Sequence, residues 1–263
     1  MEHRALSNAV QLVRSNALAT YVGLVGSVEG AVVRRPMGFT LVRGPGVFSF
    51  CNFAAGFDLA PGDVDAAVDF LVGQAAECFE FYVFSISGDE PADFDKRLEE
   101  RGFQCRQSLV SMASSAPVEA KDVGARVVTG PDERRAVGDF MARQFFWRMG
   151  REARQGIAAA TAASPHTIWV VGDGRDPTAA VMLVEQPEAV GLFNLCVATE
   201  SRGKGLGSDL VRAVQSAAAR TDRTVVLQCG EDLAEWYSSL DFERVGSIGA
   251  FTLAQAPTDD ILV

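Results

Sequence analysis

The chain has 263 residues, 48% of them hydrophobic and 22% charged, with a net charge of −10. That length admits one large domain or two ordinary ones. The acidic excess argues against nucleic acid as the main partner, and no apolar run reaches the ~20 residues that span a bilayer. Two histidines and five dispersed cysteines offer no metal-ligand spacing, so no metal is expected. The N-terminal MEHRALSNAVQLVRSN has no apolar secretory core. Scattered cysteines suit buried thiols in a reducing compartment, and a cytoplasmic location is expected. The acidic surface serves solubility first, and it can also steer a cationic acceptor.

In chain order, residues 5–20 read as a helix, and Tyr21 to Val33 is apolar and rich in glycine. Met37–Val42 and Val47–Phe53 read as strands around the Pro-Gly turn Arg43–Gly46. Gly62–Glu77 has helical spacing of Val64, Ala67, Val68, Leu71 and Ala75. A strand over Phe79–Ile86, a short helix over Pro91–Arg101 closed by Gly102-Phe103, and a strand over Gln104–Ala113 follow.

Ser114–Gly124 is small, polar and proline-containing. We place a linker at 116–124, between a first unit of residues 1–115 and a second of residues 125–263. The second opens with a strand at Ala125–Thr129, then helices over Pro131–Phe146 and Arg151–Ala163. Thr167–Gly172 and Ala179–Glu185 read as a hairpin, and Val190–Val197 as a buried strand. A polar turn with Gly203, Gly205 and Gly207 leads into an amphipathic helix from Leu206 to about Arg220. Strands over Thr224–Cys229 and Glu243–Leu253 flank the segment Leu233–Phe242.

The stretch Val190–Ser208 joins a buried strand, a glycine turn and a helix start. The first amides of a helix lack partners inside it, and the macrodipole adds partial positive charge there, so this is an anion site. Glycines let the main chain approach a phosphate closely. A Walker loop is rejected, because Lys204 lies between the glycines and no Gly-Lys-Ser/Thr follows. A dinucleotide fingerprint is rejected, because the third glycine is misplaced. Arg202–Gly207 fits R-x-x-G-x-G. With the Leu233–Phe242 segment, close to A-x-x-x-Y-x-x-x-G-F, it resembles the acetyl-CoA site of the GCN5-related N-acetyltransferase superfamily. The resemblance covers about Arg126–Leu253 well and the first half loosely.

The order strand, strand, helix, strand, helix, Gly-Phe, strand in the first half matches the order in the second. With the resemblance, it implies an α/β (α+β) fold of two acetyltransferase-like units, each a mixed, mostly antiparallel sheet flanked by helices. The first unit is degenerate. Its turn, Ala54–Pro61, lacks the arginine and the glycines, and Asp58 puts negative charge where a diphosphate would sit. An unrelated α/β first domain is the plainer alternative. The resemblance also implies acetyl-CoA as cosubstrate. Gly203, Lys204, Gly205, Leu206, Gly207 and Ser208 would grip its diphosphate, with Arg202 opening the turn. The backbone of Leu195, Cys196 and Val197 would pair with the pantetheine arm, and an N–H near Val197 would polarise the thioester carbonyl.

Tyr237 stands at the family's tyrosine, the general acid for the leaving thiolate, or else a packing residue. No glutamate opens the central strand. Glu185, Glu188 and Glu231 are nearby acids of which none stands out, and a water relayed by Asn194 is as good a base. Asn194 is a substrate-side candidate, or bonds neighbouring backbone. Trp147, in the cluster Phe145–Gly150, is the exposed candidate for binding the acceptor. Asp241 replaces the usual glycine before Phe242, in a turn that favours φ > 0. Thr199 stands where proline is frequent. Cys196 and Cys229 read as buried thiols.

The expected activity is acetyl transfer to a primary amine of a small-molecule, amino-acid-like or peptide acceptor, by a monomer or homodimer without membrane or nucleic-acid partners. An acyl-CoA sensor without turnover is the alternative. A transferase for tRNA-linked donors is weaker, because the diphosphate turn is intact.

Overall fold

The computed structural model describes residues 2–45, 51–78 and 80–253. The first half runs α1 (Glu2–Val25), β1 (Val32–Arg34), β2 (Thr40–Arg43), β3 (Phe53–Ala55), α2 (Val64–Ala76), β4 (Tyr82–Ile86), α3 (Phe94–Glu100) and β5 (Phe103–Ser114). Residues 115–125 carry no regular structure. The second half runs β6 (Arg126–Val127), α4 (Pro131–Phe145), α5 (Arg151–Ala163), β7 (Thr167–Asp173), β8 (Asp176–Glu185) and β9 (Ala189–Val197). It ends with α6 (Leu206–Ala219), β10 (Thr224–Cys229), α7 (Glu231–Ser238) and β11 (Glu243–Leu253). The order β1-β2-β3-α2-β4-α3-β5 returns as β7-β8-β9-α6-β10-α7-β11.

Among the described residues eleven strands form one sheet in the order β1-β2-β3-β4-β11-β5-β10-β9-β8-β7-β6. Of the strands among the described residues, only β3–β4 and β9–β10 pair in parallel. The fold is mixed α/β, with a mostly antiparallel sheet flanked by helices. The centre of the sheet is an exchange. β11, from the second half, lies between β4 and β5, and β5, from the first half, lies between β11 and β10. The two meet along ten residue pairs, from Glu243↔Ala113 to Leu253↔Phe103.

Alternating side chains on the strands split the core into two layers. Ala179, Val181, Leu183, Val225 and Leu227 pack against α6 and α7, and Ala54 and Val83 against α2 and α3. The opposite face carries α1, α4 and α5. There Ala180, Met182 and Val184 meet α4, while Phe53, Tyr82 and Phe84 meet α1. Helix α1 belongs to both halves. Its Ala17 and Tyr21 pack into the first, its Ala19 and Leu24 into the second, and its Val13 against Ala113 and Val226 between them.

Among the described residues the expected elements are present within about three residues of their expected bounds, apart from the following. The first helix covers Glu2–Val25, past the expected end at 20. Strand β1 was not expected. Ala54 and Ala55, assigned to a turn, are inside β3. Residues 46–50, most of the expected Val47–Phe53 strand, and Phe79 lie outside the described residues.

Candidate functional site

Strands β9 and β10 pair only at Ala189↔Thr224, Val190↔Val225 and Gly191↔Val226, and then separate. A bulge in β9 accompanies the separation. Phe193 stands opposite Met182 and Cys196 opposite Ala180, so Asn194 and Leu195 face a single residue of β8. Asn194 takes the left-handed conformation, φ 50°, which asparagine tolerates better than most residues. Beyond Gly191 the β9 edge facing β10 pairs with no strand, and Leu195, Cys196 and Val197 lie along it.

The glycine turn follows at the end of β9. Gly203 has φ 74° and Gly205, the N-cap of α6, has φ 82°. A Cβ at either position would meet nothing within 4 Å, so the demand for glycine is conformational. At Gly207 a Cβ would sit 3.6 Å from Val197 Cγ2 and 3.9 Å from Trp236 Cζ2, which places α7 beside the start of α6. The Asp209 amide donates to the Gly205 carbonyl at 3.0 Å. The amides of Leu206, Gly207 and Ser208 lie ahead of that bond, and Gly205 has no side chain to cap them.

The Arg202 guanidinium donates from Nε to the Val197 carbonyl (3.1 Å) and from Nη2 to Gln144 Oε1 (3.0 Å), bracing the turn between β9 and α4. Lys204 donates to the Glu200 carbonyl at 3.0 Å. Both side chains serve the turn itself, and the amides remain the donors open to an anion.

Tyr237 is buried on α7, edge-on to Trp236 (ring centres 4.6 Å apart) and Phe242 (5.6 Å). Burial pushes its phenol well above the usual tyrosine range. A phenol weaker as an acid than a thiol does not give up its proton to a thiolate readily. Burial likewise pushes the Cys196 thiol up to about 12 and that of Cys229 up to about 11, and both are buried.

On the face of the sheet opposite α6 lies a cavity of about 130 Å³. Phe193 and Asn194 of β9 and Gln228 of β10 line it, one strand on each side of the opening. Helix α1 contributes Thr20, Tyr21, Leu24 and Val25, and the first-half strands contribute Phe53, Phe84 and Leu109. Phe145, Phe146, Met149, Ile157 and Ala160 close it from the helix pair, with Met182 from β8. The Gln228 amide nitrogen and oxygen are both buried without a hydrogen-bond partner. Asn194 makes no side-chain hydrogen bond among the described residues, so it does not bond neighbouring backbone.

Trp147 is 62% exposed beside the Arg148 guanidinium and does not line the cavity. Its neighbours Phe145, Phe146 and Met149 do, because the turn after α4 points them inward. None of the candidate acids reaches the cavity. Glu185 pairs with Arg223 at 3.1 Å, Glu231 pairs with Arg244, and Glu188 is exposed. Nothing in the sequence marks Gln228, because a glutamine in a strand carries no pattern. Only the separation of β9 from β10 gives it a site to face.

The corresponding opening in the first half is shut. After Phe53↔Tyr82, Ala54↔Val83 and Ala55↔Phe84, the strands are tied again. The Glu90 amide donates to the Phe57 carbonyl (3.0 Å), and the Leu59 amide donates to the Glu90 carbonyl (3.1 Å). Asp89 accepts from the Phe57 amide (3.1 Å) and from Arg14 Nε (2.7 Å), while Arg14 Nη2 donates to the Phe57 carbonyl (2.8 Å).

Residues 164–244 match the family model of the acetyltransferase (GNAT) domain. That segment runs from the start of β7 into β11 and includes the turn and Tyr237. A GCN5-related N-acetyltransferase from Kribbella flavida is similar over 92% of this chain and 96% of its own, at 16% identity and a TM-score of 0.65. A tandem GNAT protein from the clavulanic acid biosynthesis pathway is similar over 91% and 89%, at 16% identity and a TM-score of 0.58. A functionally unknown conserved protein of Staphylococcus epidermidis covers 84% and 92%, at 16% identity and a TM-score of 0.56. The chain shares its fold with these proteins across both halves. No curated protein matches it. Among the described residues no helix is long and apolar enough to cross a membrane, and no group of three or more metal-binding side chains occurs.

Proposed function

We propose that this chain transfers an acetyl group from acetyl-CoA to a primary amine, with one cofactor site in residues 125–263 and none in residues 1–115. The observation that carries the proposal is a single arrangement. Parallel strands part directly in front of a glycine turn with free helix amides, and a cavity lies on the other side of the opening. The match of residues 164–244 to the acetyltransferase domain supports it.

The residues fit the cosubstrate. Three amides at the start of α6 suit a diphosphate, the positive-φ glycines carry no Cβ to obstruct it, and the unpaired β9 edge suits an amide-rich arm. Bound there, acetyl-CoA supplies an acetyl group activated as a thioester. The amides of Leu206, Gly207 and Ser208 hold the diphosphate. The backbone of Leu195, Cys196 and Val197 aligns the arm, and an N–H near Val197 polarises the carbonyl. The amine approaches from the cavity past Asn194. The Tyr237 hydroxyl donates a hydrogen bond to the departing sulfur. In the first half the ties around Asp89 and Phe57 leave no such opening, which supports a degenerate unit there.

Calorimetric titration with acetyl-CoA tests the site. The wild type is expected to bind one molecule per chain. Gly205→Glu and Gly207→Glu should each weaken binding at least 100-fold with the circular dichroism spectrum unchanged. Wild-type affinity in either variant removes the turn from the mechanism. Thiol release with a panel of amines separates transfer from mere binding.

A further inference from the structure

Among the described residues, the lining of the cavity described above carries no Asp, Glu, Lys, Arg or His. Its polar groups are Thr20, Tyr21, Asn194 and Gln228, and the rest is aromatic or aliphatic. Thr20 donates its hydroxyl to the Asn16 carbonyl at 2.8 Å. The Tyr21 hydroxyl makes no hydrogen bond among the described residues, and burial holds the phenol neutral. The unpartnered Gln228 amide sits at the end where β10 leaves β9. An apolar chamber thus ends in an amide, beside the strand edge assigned to the thioester.

Resting on the acetyl-transfer reading of this site, we infer that the acceptor is an amine on one aryl or short branched alkyl group, without a carboxylate or a second ammonium. Size argues for one such group: a cavity of about 150 Å³ lined by leucine, isoleucine and phenylalanine takes up benzene, and this one is about 130 Å³. Charge argues for the rest. An ion buried without a counter-charge is strongly disfavoured, and among the described residues no lining side chain carries a charge opposite to a carboxylate or a second ammonium. The amine nitrogen lies at Gln228, whose Oε1 accepts its N–H and turns its lone pair toward the thioester. Nitrogen attack on the acetyl carbonyl forms the C–N bond as the C–S bond breaks. The electron pair leaves on sulfur, and the ammonium proton passes to solvent.

The first half acquires a role in this arrangement. Tyr21, Leu24, Phe53, Phe84 and Leu109 make one wall of the chamber, so the half without a cofactor opening selects the acceptor.

Two ligand-preference measurements and two variants of the full chain test the inference. In the first, 2-phenylethylamine, phenylalanine and putrescine compete as acceptors in a thiol-release assay. The first should exceed the others at least 100-fold in kcat/KM, and equal or reversed preference overturns the inference while leaving acetyl transfer intact. The second needs no turnover, so it stands even if acetyl transfer does not. The protein saturated with CoA is titrated with N-acetyl-2-phenylethylamine and with N-acetylphenylalanine. The uncharged amide should bind at least tenfold tighter, and equal, reversed or undetectable binding of both overturns the inference. Ala160→Leu, which fills the chamber, should raise KM for 2-phenylethylamine at least tenfold with KM for acetyl-CoA within twofold of wild type. Gln228→Leu should lower kcat while leaving acetyl-CoA affinity unchanged. Wild-type kcat in that variant removes the amide from the site.

Discussion

Tyr237 shows how a side chain's surroundings bear on the role its position suggests. Its phenol is raised by burial, and its ring is held by Trp236 and Phe242. A hydrogen bond to a charged group is worth roughly 1.5–3 kcal/mol, about tenfold in rate at its lower end, whereas a general acid contributes about 10²–10⁴-fold. We therefore expect Tyr237→Phe to lower kcat about tenfold with KM values unchanged, read by steady-state thiol release. A loss of a thousandfold would restore the proton-donor role. The pH profile carries a related expectation. Tyr21 and Tyr237 are raised beyond the working range, Cys196 is pushed up to about 12, and no acid among the described residues lines the cavity. Between pH 7 and 9 log kcat/KM should rise with unit slope up to the acceptor's own pKa and then level. A bend that stays in place when the acceptor's pKa is changed would reveal a base in the protein. What sequence disclosed at this scale was the main-chain chemistry. The glycine turn and the positive φ of Asp241, 65°, follow from residue type. Trp147 and Gln228 did not follow, because which way a side chain faces depends on strands distant in sequence.

Among the elements, α1 was the least legible. An amphipathic stripe marks a helix buried on one side, but α1 is buried against both halves of the sheet and against α5, so its apolar residues spread around it. Small residues mark the contacts. Gly191 leaves room for Asn16, whose Nδ2 donates to the Val184 carbonyl at 2.9 Å, and Gly23 leaves room for the His166 ring. His166 Nε2 lies 3.4 Å from the Thr20 carbonyl oxygen, and burial lowers the imidazole pKa below 6.5. A group lowered on folding stabilises fully above its unfolded value, and that contribution is lost as pH falls through the folded one. Docking of α1 should therefore weaken as pH drops below 6.5. Asp89 acts in the opposite sense. Burial raises its carboxyl to about 6, so its contribution is present below 3.8 and lost as pH rises through about 6. The difference between wild type and His166→Gln isolates the histidine. From pH 7.5 to 5.5 the melting temperature of the wild type should fall further than that of the variant. Parallel curves would mean that His166 does not titrate on unfolding.

At the scale of the whole molecule the repeat was visible and the exchange was not. The order of strands and helices in each half follows from hydrophobic period and turn residues, but a strand's partner cannot be read from its own pattern. Here the last strand of each half is the one that crosses. Residues 115–125 make the crossing feasible. They lead from β5 to β6, five strand spacings away, about 24 Å at roughly 4.8 Å each, within the roughly 36 Å that eleven extended residues reach. The exchange makes each half incomplete. Without β5, β10 loses its partner from Val225↔Ser114 to Cys229↔Val110, and β11 keeps no neighbour in its own half. Buried Met112 would leave the core around α6 and α7, and Phe251 the core around α2 and α3. Open apolar edges of this kind favour aggregation over folding. The proposed boundary at 116–124 should accordingly divide the chain in sequence without dividing it into independent folding units. Residues 1–115 and 116–263, produced separately, are expected to lack cooperative thermal transitions and to elute as aggregates. Produced together, they should co-elute as a one-to-one complex with a single transition and wild-type affinity for acetyl-CoA. The second fragment contains every residue assigned to the diphosphate, so a folded, monomeric 116–263 binding acetyl-CoA with full affinity would show that β5 is dispensable to the cofactor half.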